Sequence, residues 1–415
     1  MRKTLLLFVL MLAGAFVARP SFAACPGVSD CPRPVCPAGA KQVKPGQSIQ
    51  KAIDAAPATG AAICVPPGTY TLPSGSQDKE VINFHGKPIN LVASGGPSVT
   101  FIDGGGKRGV VFNAAEGKDS ILNGFTVRNG ISDYGAGILI DGASPTIRNC
   151  VLSKNKATGD YGRGGGIGVI GVQAHPAILC TRFVGNSSSF AGGGLMSTYS
   201  ANPYLRSDVF EGNTAQYGGA IGVHWSGRLD LGWTQLIGNQ AKVDGGGIHV
   251  GLTSSNALVR QVWFQNNKAS GYGGGMWVPA GFAEVVNSMF DGNEAGQGGG
   301  IAAGYGGMVD VASTLFVRNK TGNPSAALVN AQGSSTSVVN HYNGFFSNTG
   351  GDFLNTYGNL GTLLFDPKIN GCCPAPGSPA IDAGIPDPHY IDVNGSRNDM
   401  GICGGPALST YGPMK

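Results

Sequence analysis

The chain has 415 residues, 41% of them hydrophobic and only 13% charged, with a formal net charge of +4. This balance excludes intrinsic disorder, and no Lys/Arg run exists of the kind a nucleic-acid or acidic-membrane partner would require. Seventy glycines cut the sequence into short segments, and at roughly 1 kcal/mol per glycine against alanine they argue against long helices.

Residues 1–23 have the form of a signal peptide: Arg2 and Lys3, an apolar run from Leu5 to Ala18, and the small-residue site Ser21-Phe-Ala23. The run is too short to span a bilayer, and no later segment is long enough, so no transmembrane segment is expected after cleavage. The expected location is secreted, periplasmic or on the outer cell surface. Cleavage places Cys25 at or beside the new N-terminus, where a lipid anchor is an alternative; Phe22 stands where a lipid-attachment signal normally carries Leu. Residues 24–45 form a Cys/Pro-rich segment. Nine cysteines in an exported chain point to disulfides, and Cys150 and Cys180, one repeat apart, suggest one staple.

Residues 46–350 are the main body. Ile49, Ala52 and Ile53 give Gln47–Asp54 a helical apolar pattern, and Ala61–Val65 follows as a strand. Further short strands are expected at 89–92, 99–102 and 110–112. From about residue 125 a repeat takes over. A large apolar residue is followed three positions later by asparagine, then by two or three glycines and an aliphatic residue, as in Phe183…Asn186…Gly192-Gly-Gly-Leu195. The asparagines stand at 129, 155, 186, 213, 239, 267, 293, 319 and 348. Their mean spacing of about 27 residues is that of a solenoid. Five positions before each marker apolar residue stand Ile147, Ile178, Leu205, Leu231, Val259, Val285 and Val311. One aliphatic residue per short run indicates stacked parallel strands about 4.8 Å apart, whose columns form a core that no single coil could bury.

The Phe-x-x-Asn and Gly-Gly-Ala/Gly-Ile pairs resemble the repeats of the polymorphic outer-membrane protein family. Ser144-Pro-Thr-Ile-Arg-Asn-Cys150 with Gly164-Gly-Gly-Ile167 is similar to secreted bacterial right-handed parallel β-helix proteins. The start of the body, with Pro66-Pro-Gly-Thr-Tyr70, resembles the entry segment of pectate-lyase-like proteins. The resemblance implies an all-β, right-handed parallel β-helix with an N-terminal helical cap and a C-terminal cap segment. No ~10-residue alternating strands follow residue 350, so the translocating barrel of the outer-membrane family is not expected.

Two features stand outside the repeat. Beside the inward positions Ile167, Leu195, Ile221, Ile248, Met276 and Ile301 stand Tyr199, His224, Trp225, His249 and Trp277. Flat rings on successive coils suit the faces of an extended sugar chain, and these five residues are the expected ligand-binding strip. A second series, Tyr134, Tyr161, Phe190, Tyr217 and Tyr272, is expected to be structural stacking. Glu284 and Asp310 share one column on adjacent coils, roughly the 5 Å apart of a retaining glycosidase pair; with His249 they are the catalytic candidates.

Residues 351–415 form a C-terminal cap or tail. Asp392 and Asn394 have the acid spacing of a calcium loop without its remainder; a carboxylate-stapled turn is preferred, and no cofactor is expected unless Ca²⁺ binds there. Sugar-lyase, polygalacturonase and serine-nucleophile motifs are absent. The sequence therefore favours a non-enzymatic exported protein binding polysaccharide or a neighbouring cell surface, with a polysaccharide lyase or glycoside hydrolase as the alternative.

Overall fold

A computed structural model describes residues 31–322, 327–331 and 335–406. The signal peptide and Cys25 lie outside the described residues. Each repeat makes one coil. Ile138–Asp141, Thr146–Arg148, Val151–Ser153 and Lys156–Ala157 follow one another around it, and Ile167–Ile170 then begins the next coil on top of Ile138–Asp141. Among the described residues this stacking yields four parallel sheets. Sheet A (13 strands) includes Thr146–Arg148, sheet B (12) Val151–Ser153, sheet C (11) Ile138–Asp141 and sheet D (8) Lys156–Ala157. The chain is a right-handed parallel β-helix, the hand expected of parallel crossovers.

The core is made of the expected ladders. Ile147, Ile178, Leu205, Leu231, Val259, Val285 and Val311 pair in register along sheet A and are fully buried. In sheet B the marker phenylalanines stack face to face, Phe183 on Phe210 at 4.1 Å and Phe264 on Phe290 at 4.2 Å. The rings explain the glycines. A Cβ on Gly194 would stand 2.6 Å from the Phe210 ring, and one on Gly275 2.5 Å from the Phe290 ring. Ala220 replaces glycine in this position where the following rung carries Leu236 instead of phenylalanine.

The marker asparagines bury a continuous ladder. Asn239 Nδ2 donates to the Phe210 carbonyl and to Asn267 Oδ1, both at 2.9 Å, and the same geometry repeats from Asn155 to Asn348. The expected first member does not belong. Asn129 is exposed in the left-handed region and binds Asp103, while Gly130 N–H donates to Asn155 Oδ1. Gly130 therefore occupies the ladder position. Asn129 falls one short because Val127 pairs with Leu152, and the residue three positions after Val127 is Gly130.

At the N-terminal end, the helix Ile49–Asp54 lays Ile49, Ala52 and Ile53 over the first coil. Ser48 Oγ accepts from Lys51 N–H, and Lys87 Nζ donates to the carbonyls of Ile53, Asp54 and Ala56 at 2.8–3.0 Å, satisfying the helix at both ends. The Cys-rich segment runs outside the solenoid along the turn between sheets A and B. Cys36 is bonded to Cys64, and Cys31 to Cys180. This overturns the Cys150–Cys180 staple: Cys150 is buried with a free thiol, which burial pushes up to about 11.

From the other end, residues 365–406 return along the same turn. Cys372, Ala380, Met400 and Ile402 cover the outward Trp263, Met289 and Leu315, Gln261 Nε2 donates to the Gly404 carbonyl at 2.9 Å, and Cys373 is bonded to Cys403. Asp392 Oδ1 accepts from the Gly405 and Asp399 amides and Asn394 Oδ1 from Ser396. Burial pushes the Asp392 carboxyl up to about 6.

Candidate functional site

The outer face of sheet C is built by alternation. After each glycine turn the strand places one residue inward and the next outward: Ile221 in, Gly222 out, Val223 in, His224 out. The outward column in register is Leu139, Gly168, Met196, Gly222, His249, Trp277, Ala302 and Val329. Two positions further runs Asp141, Ile170, Thr198, His224 and Gly251. Large rings lie beside glycines on neighbouring coils. A Cβ on Gly304 would meet Trp277 at 2.5 Å, and one on Gly168 would meet Tyr134 at 2.4 Å.

This face is not bare. Tyr134, Phe190, Tyr217 and Tyr272, from the segments that precede the glycine turns, fold over it as a second layer. Tyr272 stacks on Trp277 at 4.5 Å, and Tyr217 meets His249 edge-on at 5.2 Å. Three members of the expected strip are thereby covered: Trp277, His224 and His249 are each at most 5% exposed. His224 Nε2 and His249 Nδ1 share a hydrogen bond of 2.8 Å. Burial pushes His249 down to about 3, and burial, His249 and Arg163 together push His224 well below the usual imidazole range. Both rings are neutral. They support the surface and are almost closed to solvent, so these members of the expected strip point outward but are covered, and His249 does not present its ring at the surface.

The remaining two do lie at the surface, for a reason alternation does not supply. Tyr199 and Trp225 follow their strands in left-handed turns, with φ of 53° and 48°, and their rings stack at 5.9 Å, 13° from parallel. Trp225 is half-buried and Tyr199 is 51% exposed. Sequence reasoning missed their partners. The Arg163 guanidinium lies 4.4 Å from the Trp225 ring centre, 5.3 Å from Phe190 and 5.5 Å from Tyr161, which is 66% exposed. Arg163 interrupts the glycine run at Gly162-Arg-Gly164 and pairs with Tyr134 and Ala191 across coils. That interruption was the available signal. The result is a ridge of Tyr161, Arg163, Tyr199 and Trp225 over three coils, with flat faces and one cation.

The acidic pair lies elsewhere, on the outer face of sheet A. Glu284 and Asp310 are register partners, as expected. Each faces a basic side chain from a neighbouring coil: Glu284 accepts from Arg260 at 3.1 Å, and Asp310 lies 3.9 Å from His341. Burial raises the Asp310 carboxyl, against the pull of His341. Upstream in the same column Asp230 pairs with Arg206 at 2.7 Å and is buried. Each carboxylate thus has a basic side chain from a neighbouring coil beside it along the sheet. Among the described residues, the one group of three or more His, Cys, Asp or Glu close enough for a metal is Cys372, Cys373 and Cys403, and all three are disulfide-bonded.

Four parallel sheets wound around one aliphatic, phenylalanine and asparagine core define a right-handed parallel β-solenoid. The chain belongs to the right-handed β-helix family: the family described as "Right handed beta helix region" matches residues 108–321, more than half of the 415. No curated protein and no solved structure matches it. No helix among the described residues is long and apolar enough to cross a membrane.

Proposed function

We propose that the chain is an exported, non-enzymatic β-helix protein that binds polysaccharide or a glycan on a neighbouring surface. The observation that supports this is the ridge of Tyr161, Arg163, Tyr199 and Trp225, where two exposed tyrosine rings and a half-buried tryptophan on consecutive coils lie about a stacked guanidinium. Sugar rings present apolar C–H faces to such aromatic planes, and the guanidinium edge donates to hydroxyl or acid oxygens. Disulfides within the described residues suit an oxidising compartment. The test is a glycan array, followed by incubation of each bound glycan with the protein and assay for new reducing ends or unsaturated products. Binding without turnover, weakened in Trp225→Ala and Arg163→Ala, is the expected result.

The register pairing of Glu284 with Asp310 supports a second reading, a glycoside hydrolase or polysaccharide lyase acting on sheet A. Turnover that disappears in Glu284→Gln or Asp310→Asn, and survives Trp225→Ala, would establish that reading in place of the first.

A further inference from the structure

The two ends of the solenoid are finished differently. At the start, the helix Ile49–Asp54 closes the first coil with apolar side chains. At the other end no element among the described residues lies across the last rung. The strands Phe353–Leu354, Tyr357–Leu360 and Leu363–Leu364 are the last members of sheets C, A and B. The C-terminal segment that follows them turns back along the side of the body.

The consequence is visible column by column. Phe316, Phe345 and Leu364 are successive residues of one inward ladder. The first two are at most 1% exposed and Leu364 is 67% exposed. Leu354, Tyr357, Leu360 and Leu363 are exposed around it. Solenoid ends require covering, and natural sheet edges are ordinarily blunted by charge or proline. Neither device is used here: Phe353-Leu-Asn-Thr-Tyr-Gly-Asn-Leu-Gly-Thr-Leu-Leu-Phe365 contains no charged residue and no proline.

We infer that this open end is a self-association surface that joins two copies of the chain end to end about a two-fold axis. The occupant follows from three observations. A copy presenting its opposite end would bring the covering helix rather than a free rung, so head-to-tail stacking is blocked. A two-fold axis brings like end to like end and sets the terminal strands antiparallel, the arrangement in which identical edges satisfy each other's amides and carbonyls. The terminal strands themselves carry no charge, so they meet their own copy without repulsion and offer no ion pair by which a charged partner would be selected. The paired rungs remove Leu360 and Leu364 from water and continue the core ladders from one copy into the next.

The test uses the mature secreted chain in sedimentation equilibrium over a concentration series from micromolar to hundreds of micromolar. A monomer–dimer equilibrium is expected. The double variant Leu360→Lys/Leu364→Lys should weaken it at least tenfold while its melting temperature matches the parent. Because that variant could fold poorly, Asn359→Cys supplies an independent readout. It should oxidise to a covalent dimer, whereas Gln77→Cys, at the helix-covered end, should stay monomeric. A chain that is monomeric throughout, or a dimer indifferent to the lysines and not cross-linked through position 359, overturns the proposal. So does dimerisation that emerges only when residues 407–415 are removed, which would make that segment the cover.

Discussion

Replacing Asn239 by alanine tests the ladder at its centre. The Asn239 carboxamide makes four hydrogen bonds: its Nδ2 donates to the Phe210 carbonyl and Asn267 Oδ1, and its Oδ1 accepts from the Asn213 backbone and side-chain N–H groups, all at 2.9–3.0 Å. Asn213, Phe210 and Asn267 are fully buried, so water cannot take over. Asn267 Oδ1 keeps the Asn239 amide as donor, but the Asn213 amide, one Asn213 Nδ2 hydrogen and the Phe210 carbonyl lose their partner. At about 1–3 kcal/mol for each buried group left unmade, and allowing for partial relaxation, the loss should be about 3–6 kcal/mol. Asn239→Asp should cost at least as much, because a carboxylate turns two donated bonds into acceptor–acceptor contacts. Asn129→Ala is the control; its side chain is exposed and outside the ladder, and it should cost under about 1 kcal/mol. Urea denaturation followed by far-UV circular dichroism measures all three. Equal and small losses for Asn239→Ala and Asn129→Ala would refute the account of the ladder as a buried, obligatory network.

Trp277→Ala should destabilise the fold by about 3–5 kcal/mol, as for other buried aromatics, whereas Trp225→Ala should barely move the melting temperature and should weaken glycan binding several-fold; calorimetry and a binding titration on both variants separate the roles. Stability should fall as pH drops from about 6.5 towards 3, because His224 and His249 have folded pKa values below their unfolded ones and the unfolded chain takes up protons first; melting temperatures across this range should lose much of that slope in His249→Gln. Asp392 has the opposite sign. Its pKa is raised to about 6, so its stabilising contribution is complete below about 4 and lost as pH rises through 6, a component that Asp392→Asn should remove. Breaking Cys31–Cys180, which spans 149 residues, should cost about 4–5 kcal/mol on the chain-entropy account, read as a lowered urea midpoint in the Cys31→Ser/Cys180→Ser variant.

Most of the fold was legible because its core is periodic. Each inward column draws one residue type from every coil, so the aliphatic ladder and the phenylalanines could be aligned without coordinates, and the one slip, Asn129 for Gly130, came where an asparagine stands one residue short of the ladder position. The candidate site was less legible because strand alternation reports inside against outside, not covered against bare. His249 and Trp277 do point away from the core, yet Tyr217, from the preceding coil, and Tyr272, five residues upstream of Trp277, lie over them. The outward Trp263, Met289 and Leu315 hide under the C-terminal segment in the same way; three large apolar residues in succession, in a column that earlier alternates Val151, Arg182, Val209 and Gln235, were a sign that something covers them. Arg163 acquires its significance only through the rings that three different coils bring to it.

The disulfide between Cys31 and Cys180 also decides how the molecule meets force. The first coils of an unfastened solenoid would peel one at a time from a pulled terminus, since each is held chiefly by its neighbour. Here a load applied at Cys31 enters the body at Cys180, four rungs beyond the strand that carries Cys64. The rungs in between sit slack, out of the line of tension. The bond therefore turns a stack that would unzip from its end into one that must be sheared in its interior.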